Sequence, residues 1–232
     1  TDATEPDALV HHADLAMYRA KDNGRNCVAF YSPEMNAAAQ TRLSLENDLR
    51  QALDNREMRV VYQPLLHLPG HQLAGVEALV RWQHPQRGLL YPGTFIGIAE
   101  ECGKIADMGV WTLSEACAQL ARWKAKGLEI GVMAVNVSAQ EFRDHRLLDS
   151  LQNALSQGGI SPSELEVEIT ESVLMSETET SQRIIERMRE LGVGISIDDF
   201  GTGYSSLSYL KRLRPNQLKI DRSFVSDTAT DN

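Results

Sequence analysis

Cysteine, long apolar runs and excess positive charge are all scarce in this sequence. Its three cysteines, Cys27, Cys102 and Cys117, stand in no CxxC spacing, which argues against a disulfide framework or a zinc site. No apolar run approaches the roughly 20 residues that span a bilayer, and the N-terminus lacks the regions of a signal peptide. We therefore expect a cytoplasmic protein without membrane contact by this segment, although a parent protein could be tethered through other regions.

The charge balance limits the class of partner. The formal net charge is −9 over 232 residues, with acidic residues spread along the chain. Duplex nucleic acid requires a broad basic surface, so we expect no duplex nucleic acid as partner. An anionic ligand would need cations supplied locally.

The N-terminal residues show a helical pattern on either side of a short extended segment. Apolar spacing predicts a helix over residues 6–22, and NCVAFY predicts a strand at 26–31. A second helix is predicted from Ser32-Pro33-Glu34 to about Asn55. We interpret residues 34–55 as a connecting helix that follows a separate N-terminal piece, residues 1–33.

From residue 59 onward, strand patterns alternate with helix patterns. RVVYQPLLHL and LAGVEALVRW flank the turn LPGHQ and predict an antiparallel hairpin. Further strands are predicted at 131–138, 164–170, 194–200 and 217–221, and helices at 92–106, 108–126, 144–157, 177–191 and 203–213. Such alternation predicts an α/β fold with a largely parallel sheet, either a barrel or an open sheet. The pattern contains six strands, whereas a barrel needs about eight strands and roughly 250 residues.

Acidic residues stand at or near the carboxyl ends of these strands, where parallel sheets and barrels place their active sites. Carboxylates that converge repel one another unless a cation lies among them. Oxygen ligands without histidine or cysteine favour Mg²⁺ or Mn²⁺ over zinc. Two adjacent aspartates could reach two ions about 3.5–4 Å apart, a separation that activates water on a phosphodiester. The residues that we expect to converge are Glu77, Asn136, Glu168, Asp198 and Asp199.

A plainer interpretation stays open at this point. A single acid at a strand end is more often a helix cap or a surface charge. Asp198 and Asp199 could cap the helix that follows them, and Lys219 with Asp221 could form an ordinary ion pair. The coincidence of five such positions nevertheless favours a site.

The motifs resemble those of the EAL domain family of cyclic di-GMP phosphodiesterases. They occur in order between about Leu43 and Val225: YQP at 62–64, EALVRW at 77–82, FIGIAEECGKI at 95–105, NVS at 136–138, EITES at 168–172, DDFGTGYSSL at 198–207 and KID at 219–221. The resemblance implies a TIM-like (β/α) barrel with one antiparallel strand. It also implies hydrolysis of cyclic di-GMP to linear pGpG with two Mg²⁺ or Mn²⁺ ions. A homodimer is compatible with it.

The resemblance also implies roles for individual residues. Those expected to bind metal are Glu77, Asn136, Glu168, Asp198 and, for the second ion, Asp199. Those expected to serve the reaction are Lys219, which positions or activates the water, Asp221 in the same pocket, and Glu171, which orders the loop DFGTGYSS. Gln63 and Arg81 are expected to contact the substrate, because a guanidinium suits a phosphate oxygen.

Two further expectations concern the ends of the chain. ADLAMYRAKDNGRNCVAFY, residues 13–31, resembles the last helix and strand of a GGDEF (diguanylate cyclase) domain without its acidic signature loop, so we expect no cyclase activity here. His11 and His12 are expected on a helix surface. The resemblance places the EAL domain at 42–232 and implies that a late glutamate of the family would follow Asn232.

The resemblance leaves two alternatives to the phosphodiesterase. One is a chain without turnover, which is either a receptor module that binds cyclic di-GMP or a fragment that is inactive because the C-terminal part of the domain is missing. The other is a different metal-dependent barrel, such as an enolase-like enzyme that uses Lys219 as its base.

Overall fold

The chain forms two compact units, Thr1–Asn55 and Arg56–Asn232. The computed structural model describes residues 5–22, 26–171, 173, 179–202 and 214–226. The predicted helix at 203–213 therefore lies outside the described residues. Among the described residues, no helix combines the length and the apolar character that crossing a bilayer requires.

The first unit is a pair of helices, α1 (Pro6–Asp22) and α2 (Pro33–Ala52), as predicted. The predicted strand at 26–31 is wrong, because this segment has no regular structure and leaves Val28 83% and Phe30 85% exposed. A strand needs a neighbour to bond its backbone groups, and no described strand pairs with this segment. The expected surface position holds for His11, which is exposed; half-buried His12 stacks its ring 3.6 Å from that of Tyr31.

The second unit is a mixed α/β structure around one sheet. Its strands are β1 (Met58–Leu66), β2 (Leu73–His84), β3 (Gly88–Leu90), β4 (Val132–Asn136), β5 (Leu165–Thr170), β6 (Gly194–Phe200) and β7 (Gln217–Ile220). Its helices are α3 (Pro92–Glu101), α4 (Ile105–Ala125), α5 (Ala139–Phe142), α6 (Leu147–Gly158), α7 (Glu179–Leu191) and α8 (Arg222–Ser226), with a 3₁₀ turn at Pro162–Glu164.

The sheet runs in the order β1-β2-β4-β5-β6-β7, with β3 paired to β2. β1 and β3 are antiparallel to β2, and the pairs from β2 to β7 are parallel. The predicted hairpin and parallel sheet are confirmed, and the described sheet stays open. The count of six strands is wrong by one, because β3 has three residues and is too short for periodicity to reveal.

Helix boundaries differ from prediction at two turns. Gly103, with φ +71°, lies in the break between α3 and α4, a conformation that suits glycine. The region predicted as one helix from 144 begins earlier with the short α5. Ser138 and Glu141 form a capping box there, which satisfies free backbone N–H groups at the start of that helix.

The core of the second unit lies on the helix-facing side of the sheet. β5 contributes Leu165, Val167 and Ile169, at most 1% exposed, to a continuous cluster, and each such side chain stabilises the fold by roughly 1.5–3 kcal/mol. Glu166 and Glu168 alternate with them and project from the other face of the strand. That second face of the sheet carries the candidate site.

Candidate active site

The candidate site consists of polar side chains from five adjacent strands. The sheet order places β2, β4, β5, β6 and β7 side by side. Their registers align Asn136 with Glu168 and Thr170 with Asp198. Because these strands are parallel, their carboxyl ends meet at one edge of the sheet. The residues that come together are Glu77, Asn136, Glu168, Asp198 and Lys219.

Lys219 lies at the centre of this group. Its Nζ donates to Oε2 of Glu168 at 2.7 Å and to Oε2 of Glu77 at 3.0 Å. Oδ2 of Asp198 lies 3.6 Å from the same nitrogen. The ammonium thus ties together carboxylates from β2, β5 and β6. The sequence interpretation that paired Lys219 with Asp221 is not what the structure shows.

Asn136, the last residue of β4, joins the group through Glu77. Its Nδ2 donates to Oε1 of Glu77 at 2.7 Å. The two oxygens of Glu77 therefore bind two different donors, the Asn136 amide and the Lys219 ammonium. This arrangement holds Glu77 in one orientation toward the centre of the site.

The group carries excess negative charge. Three carboxylates surround Lys219, so full ionisation leaves three negative charges against one positive charge. Burial raises the pKa of Glu168, and the nearby charges of Glu77 and Asp198 add to that effect. Burial disfavours the charged form of Lys219, but hydrogen bonds and charge from Glu168 and Glu77 raise its pKa above the ordinary value. The site favours a protonated lysine and can take up further positive charge.

Among the described residues, one oxygen of the site has no hydrogen-bond partner. Oε1 of Glu168 is buried without a hydrogen bond, in a residue that is 1% exposed. A buried polar atom in this state costs free energy unless a ligand, ion or water satisfies it. Within the described ranges, no three or more His, Cys, Asp or Glu side chains are arranged to hold a metal ion. The ammonium of Lys219 occupies the point on which the carboxylates converge.

Asp199 and Asp221 lie beside the group rather than in it. Asp199 is exposed, has φ +54°, and donates its backbone N–H to Oδ1 of Asp198 at 3.0 Å. Slight burial and the charges of Asp198 and Asp221 raise its pKa. Asp221 accepts hydrogen bonds from the hydroxyl and backbone N–H of Ser223 at the start of α8, and the hydroxyl bond is the larger cause of its lowered pKa.

Glu171 follows β5 and reaches the end of β6. Its Oε2 accepts the backbone N–H of Gly201 at 3.2 Å, and the residue is 7% exposed. The contact ties the start of the loop DFGTGYSS to the strand that carries Glu168. The rest of that loop, from residue 203, lies outside the described residues.

Gln63 and Arg81 lie on the hairpin that borders the group. Gln63 of β1 pairs with Glu77 across the antiparallel ladder, and directly opposed residues share a face. Arg81 lies four residues beyond Glu77 in β2, on the same face by alternation. Its Nη1 donates to the carbonyl of Val80 at 2.8 Å, and its guanidinium lies over the ring of Tyr91.

Two contacts near the site were missed from the sequence. Tyr91 packs on Arg81, but a lone tyrosine between two predicted elements gives no signal. Glu141 is buried and caps α5 together with Ser138, two residues after Asn136. The spacing S-x-x-E in SAQE is the signal that could have revealed this cap.

Comparison with known proteins identifies the fold and the family. The EAL domain family matches residues 46–232. The chain is 49% identical, with a TM-score of 0.77, to a structure described as the PaMucR phosphodiesterase in complex with c-di-GMP, covering 81% of this chain and 76% of that one. It also superposes on the cAMP and cyclic-di-GMP bound form of the EAL enzyme Bd1971, at 30% identity and a TM-score of 0.77. The match covers 99% of this chain and 60% of that one. These neighbours are TIM-like barrels, which confirms the predicted fold class.

Curated relatives agree with the structural neighbours. The bifunctional diguanylate cyclase/cyclic di-GMP phosphodiesterase MucR of Pseudomonas aeruginosa is 50% identical over 223 residues, 96% of this chain and 33% of the relative. The cyclic di-GMP phosphodiesterase PdeR of Escherichia coli is 40% identical over 220 residues, which are 95% of this chain and 33% of the relative. The chain thus spans about a third of the length of both relatives. On the family match and these identities, the chain belongs to the EAL domain family.

Proposed function

We propose that this chain hydrolyses one phosphodiester bond of cyclic di-GMP to linear pGpG, as part of a bacterial second-messenger signalling protein. The observation that carries the proposal is the convergence of Glu77, Glu168 and Asp198 on Lys219 in a chain of the EAL family. The naming of MucR and PdeR as cyclic di-GMP phosphodiesterases supports the choice of substrate.

Phosphodiesterases of this family depend on metal ions, and the donors present here fit Mg²⁺ or Mn²⁺. The group offers carboxylate and amide oxygens, an unsatisfied buried oxygen on Glu168 and excess negative charge. We propose that two ions bind; the residues that would hold the first are Glu77, Asn136, Glu168 and Asp198, and Asp199 would help to hold the second. When bound, such ions supply Lewis acidity and lower the pKa of water. Lys219 must then release part of its present hold on the carboxylates.

The chain's own residues orient the reactants. Lys219 Nζ donates to Glu168 and Glu77 and in the proposed role positions the attacking water, with Asp221 in the same pocket. Glu171 accepts the backbone N–H of Gly201 and so holds the backbone that follows Asp198 and Asp199. Gln63 and Arg81, on the same face as Glu77, would contact the dinucleotide, with the guanidinium on a phosphate oxygen.

The decisive experiment is incubation of the purified protein with cyclic di-GMP and Mg²⁺ or Mn²⁺, with separation of the products by chromatography. We expect pGpG from the wild type, and a loss of at least a hundredfold in rate for Glu77→Ala, because this removes a carboxylate from the site. Glu186→Ala, exposed on α7, is the matched control and should retain the rate. A wild type that forms no more pGpG than Glu77→Ala contradicts the proposal.

A receptor that binds cyclic di-GMP without turnover is the second candidate. The observation that favours it is Lys219, because an ammonium already supplies the carboxylates with a cation. Calorimetry with Ca²⁺ in place of Mg²⁺ separates affinity from hydrolysis. Binding in Ca²⁺ together with no pGpG in Mg²⁺ or Mn²⁺ would favour the receptor, and absence of both would contradict both candidates.

We also propose that residues 1–33 are the end of a GGDEF domain, that residues 34–55 are a connecting helix, and that the catalytic domain is 42–232. The match to MucR, which is named as a bifunctional cyclase and phosphodiesterase, covers 96% of this chain and supports this division. A cytoplasmic location suits a nucleotide second messenger. Light scattering of the purified protein tests the proposed homodimer; a mass of one chain at micromolar concentration contradicts it.

A further inference from the structure

The β2–β3 hairpin determines where Tyr91 lies. Trp82 pairs with Leu90, and Gln83 pairs with Leu89. One further step in the same antiparallel register places Tyr91 opposite Arg81. Tyr91 is also the N-cap residue of α3, with extended backbone angles of φ −95° and ψ 157°. A strand end and a helix start therefore hold the backbone of Tyr91 beside Arg81.

The guanidinium of Arg81 lies over the ring of Tyr91. The Cζ atom of Arg81 lies 4.9 Å from the centre of the Tyr91 ring, within the range of a cation–π interaction. Tyr91 remains 60% exposed, and Arg81 is half-buried. An aromatic ring offers the guanidinium no acceptor atom, so this contact leaves the N–H groups of Arg81 available to another partner.

Arg81 differs in its partners from the four arginines of the described structure that form the ion pairs named next. Arg50, Arg122, Arg146 and Arg187 each bind a carboxylate. In the part of the chain that the structure describes, no carboxylate lies within ion-pair distance of Arg81, whose recorded hydrogen bond uses Nη1 on the carbonyl of Val80. A guanidinium has five N–H donors in a planar fork, so Arg81 keeps its charge and most of its donors.

We propose that Tyr91 is a positioning residue, which holds the Arg81 guanidinium so that its fork meets a phosphate oxygen of the phosphodiester substrate. This inference rests on the proposed function. An acidic partner would orient the guanidinium equally well, but it would neutralise the charge and occupy the donors. An aromatic ring orients the group and leaves both available.

The test compares Tyr91→Ala with Tyr91→Phe, which keeps the ring. Affinity for cyclic di-GMP is measured by calorimetry in Ca²⁺, and KM and kcat are measured in Mg²⁺. For Tyr91→Ala we expect Kd and KM to rise about three- to tenfold with little change in kcat. Tyr91→Phe should remain within about twofold of the wild type, as should Leu89→Ala, an exposed neighbour on β3.

Two further measurements show whether Tyr91 acts through Arg81. In an Arg81→Ala background, Tyr91→Ala should cause almost no further rise in Kd or KM, because the guanidinium that Tyr91 positions is absent. By NMR, the Arg81 Nε–H signal should carry a ring-current shift in the wild type that is lost in Tyr91→Ala, without any substrate.

The contrary results distinguish failure of this inference from failure of the proposed function. A Tyr91→Ala variant that binds like the wild type, an undiminished effect in the Arg81→Ala background, or an Nε–H signal that does not respond to Tyr91→Ala overturns the inference and leaves the proposed function intact. A wild type without affinity for cyclic di-GMP overturns the proposed function, and the inference with it.

Discussion

Lys219 Nζ lies 2.7 Å from Oε2 of Glu168, and the same nitrogen binds Glu77 and Asp198 from two other strands. One ammonium thus balances part of the charge of three carboxylates. The lysine side chain is 20% exposed and the Glu168 side chain is 1% exposed. Removal of one partner from such a group leaves buried charge without compensation.

Replacement of Lys219 by methionine should therefore destabilise the protein in EDTA. We expect a loss of about 3 kcal/mol in the free energy of unfolding, measured by urea denaturation. Mg²⁺ or Mn²⁺ should restore more stability to the variant than it adds to the wild type, because the divalent ion then faces no competing ammonium. Lys126→Met removes an exposed lysine at the end of α4 and serves as control; equal stability of the two variants would contradict the interpretation.

A second prediction concerns Asn136, whose amide donates to Glu77. Asn136→Asp replaces that donor by a carboxylate, so two like charges meet where a hydrogen bond was. We expect a loss of about 1–2 kcal/mol in EDTA and a larger stabilisation by Mn²⁺ than in the wild type. The measurement is thermal unfolding with and without Mn²⁺. Asn153→Asp, exposed on α6, should change neither quantity; no added response to Mn²⁺ in Asn136→Asp would count against a metal site here.

Glu141 provides a prediction about pH. Burial raises its pKa to about 7, above the ordinary value of 4.5, against the opposing hydrogen bonds from Ser138. The folded state therefore binds the proton more tightly than the unfolded state. The stability that this proton contributes is complete below about pH 4.5 and is lost as the pH rises through about 7.

Glu141→Gln keeps the shape of the side chain and removes its ionisation. We expect the free energy of unfolding of the variant to exceed that of the wild type by about 2–3 kcal/mol at pH 8, and the two values to differ little near pH 4.5. Urea denaturation across this pH range measures both. Glu186→Gln, exposed on α7, should show no such dependence. If Glu141→Gln changed the free energy of unfolding equally at both pH values, the buried charge of Glu141 would not be the cause of the change.

A fourth prediction concerns the close approach of β2 and the start of β4. Gly131 has φ +80°, and a Cβ atom there would overlap the carbonyl group of Ala74. Gly131→Ala should lower the free energy of unfolding by about 2–4 kcal/mol through strain and steric overlap. Gly93, within α3, has open space around it, so Gly93→Ala should be neutral or slightly stabilising. Thermal unfolding of the two variants distinguishes these outcomes; equal melting temperatures would refute the prediction.

The sequence was informative wherever a pattern spans many residues. Alternation over β5 and β6 gave the strands and the clustering of Glu168 with Asp198, because period two and parallel direction together determine where side chains meet. The hairpin of β1 and β2 followed from its turn residues. The strand at 26–31 failed because a strand depends on its neighbours, and β3 because three residues carry no period.

Contacts that depend on exact distance were beyond the sequence. KID at 219–221 shows a lysine and an aspartate two positions apart, but which carboxylates the lysine binds depends on how far each strand extends. In the structure these are Glu77, Glu168 and Asp198, while Asp221 binds Ser223. The contact of Arg81 with the Tyr91 ring likewise depends on the register of β3, a strand that was not predicted.

The two faces of β5 give that strand a safeguard against misfolding. Leu165, Val167 and Ile169 lie in the apolar core, and Glu166 and Glu168 lie on the opposite face. A slip of one residue in pairing would exchange the faces and force two carboxylates into hydrocarbon, at a cost of several kcal/mol for each ionised group. Glu168, which we propose as a metal ligand, thereby also penalises incorrect strand registers during folding, together with Glu166.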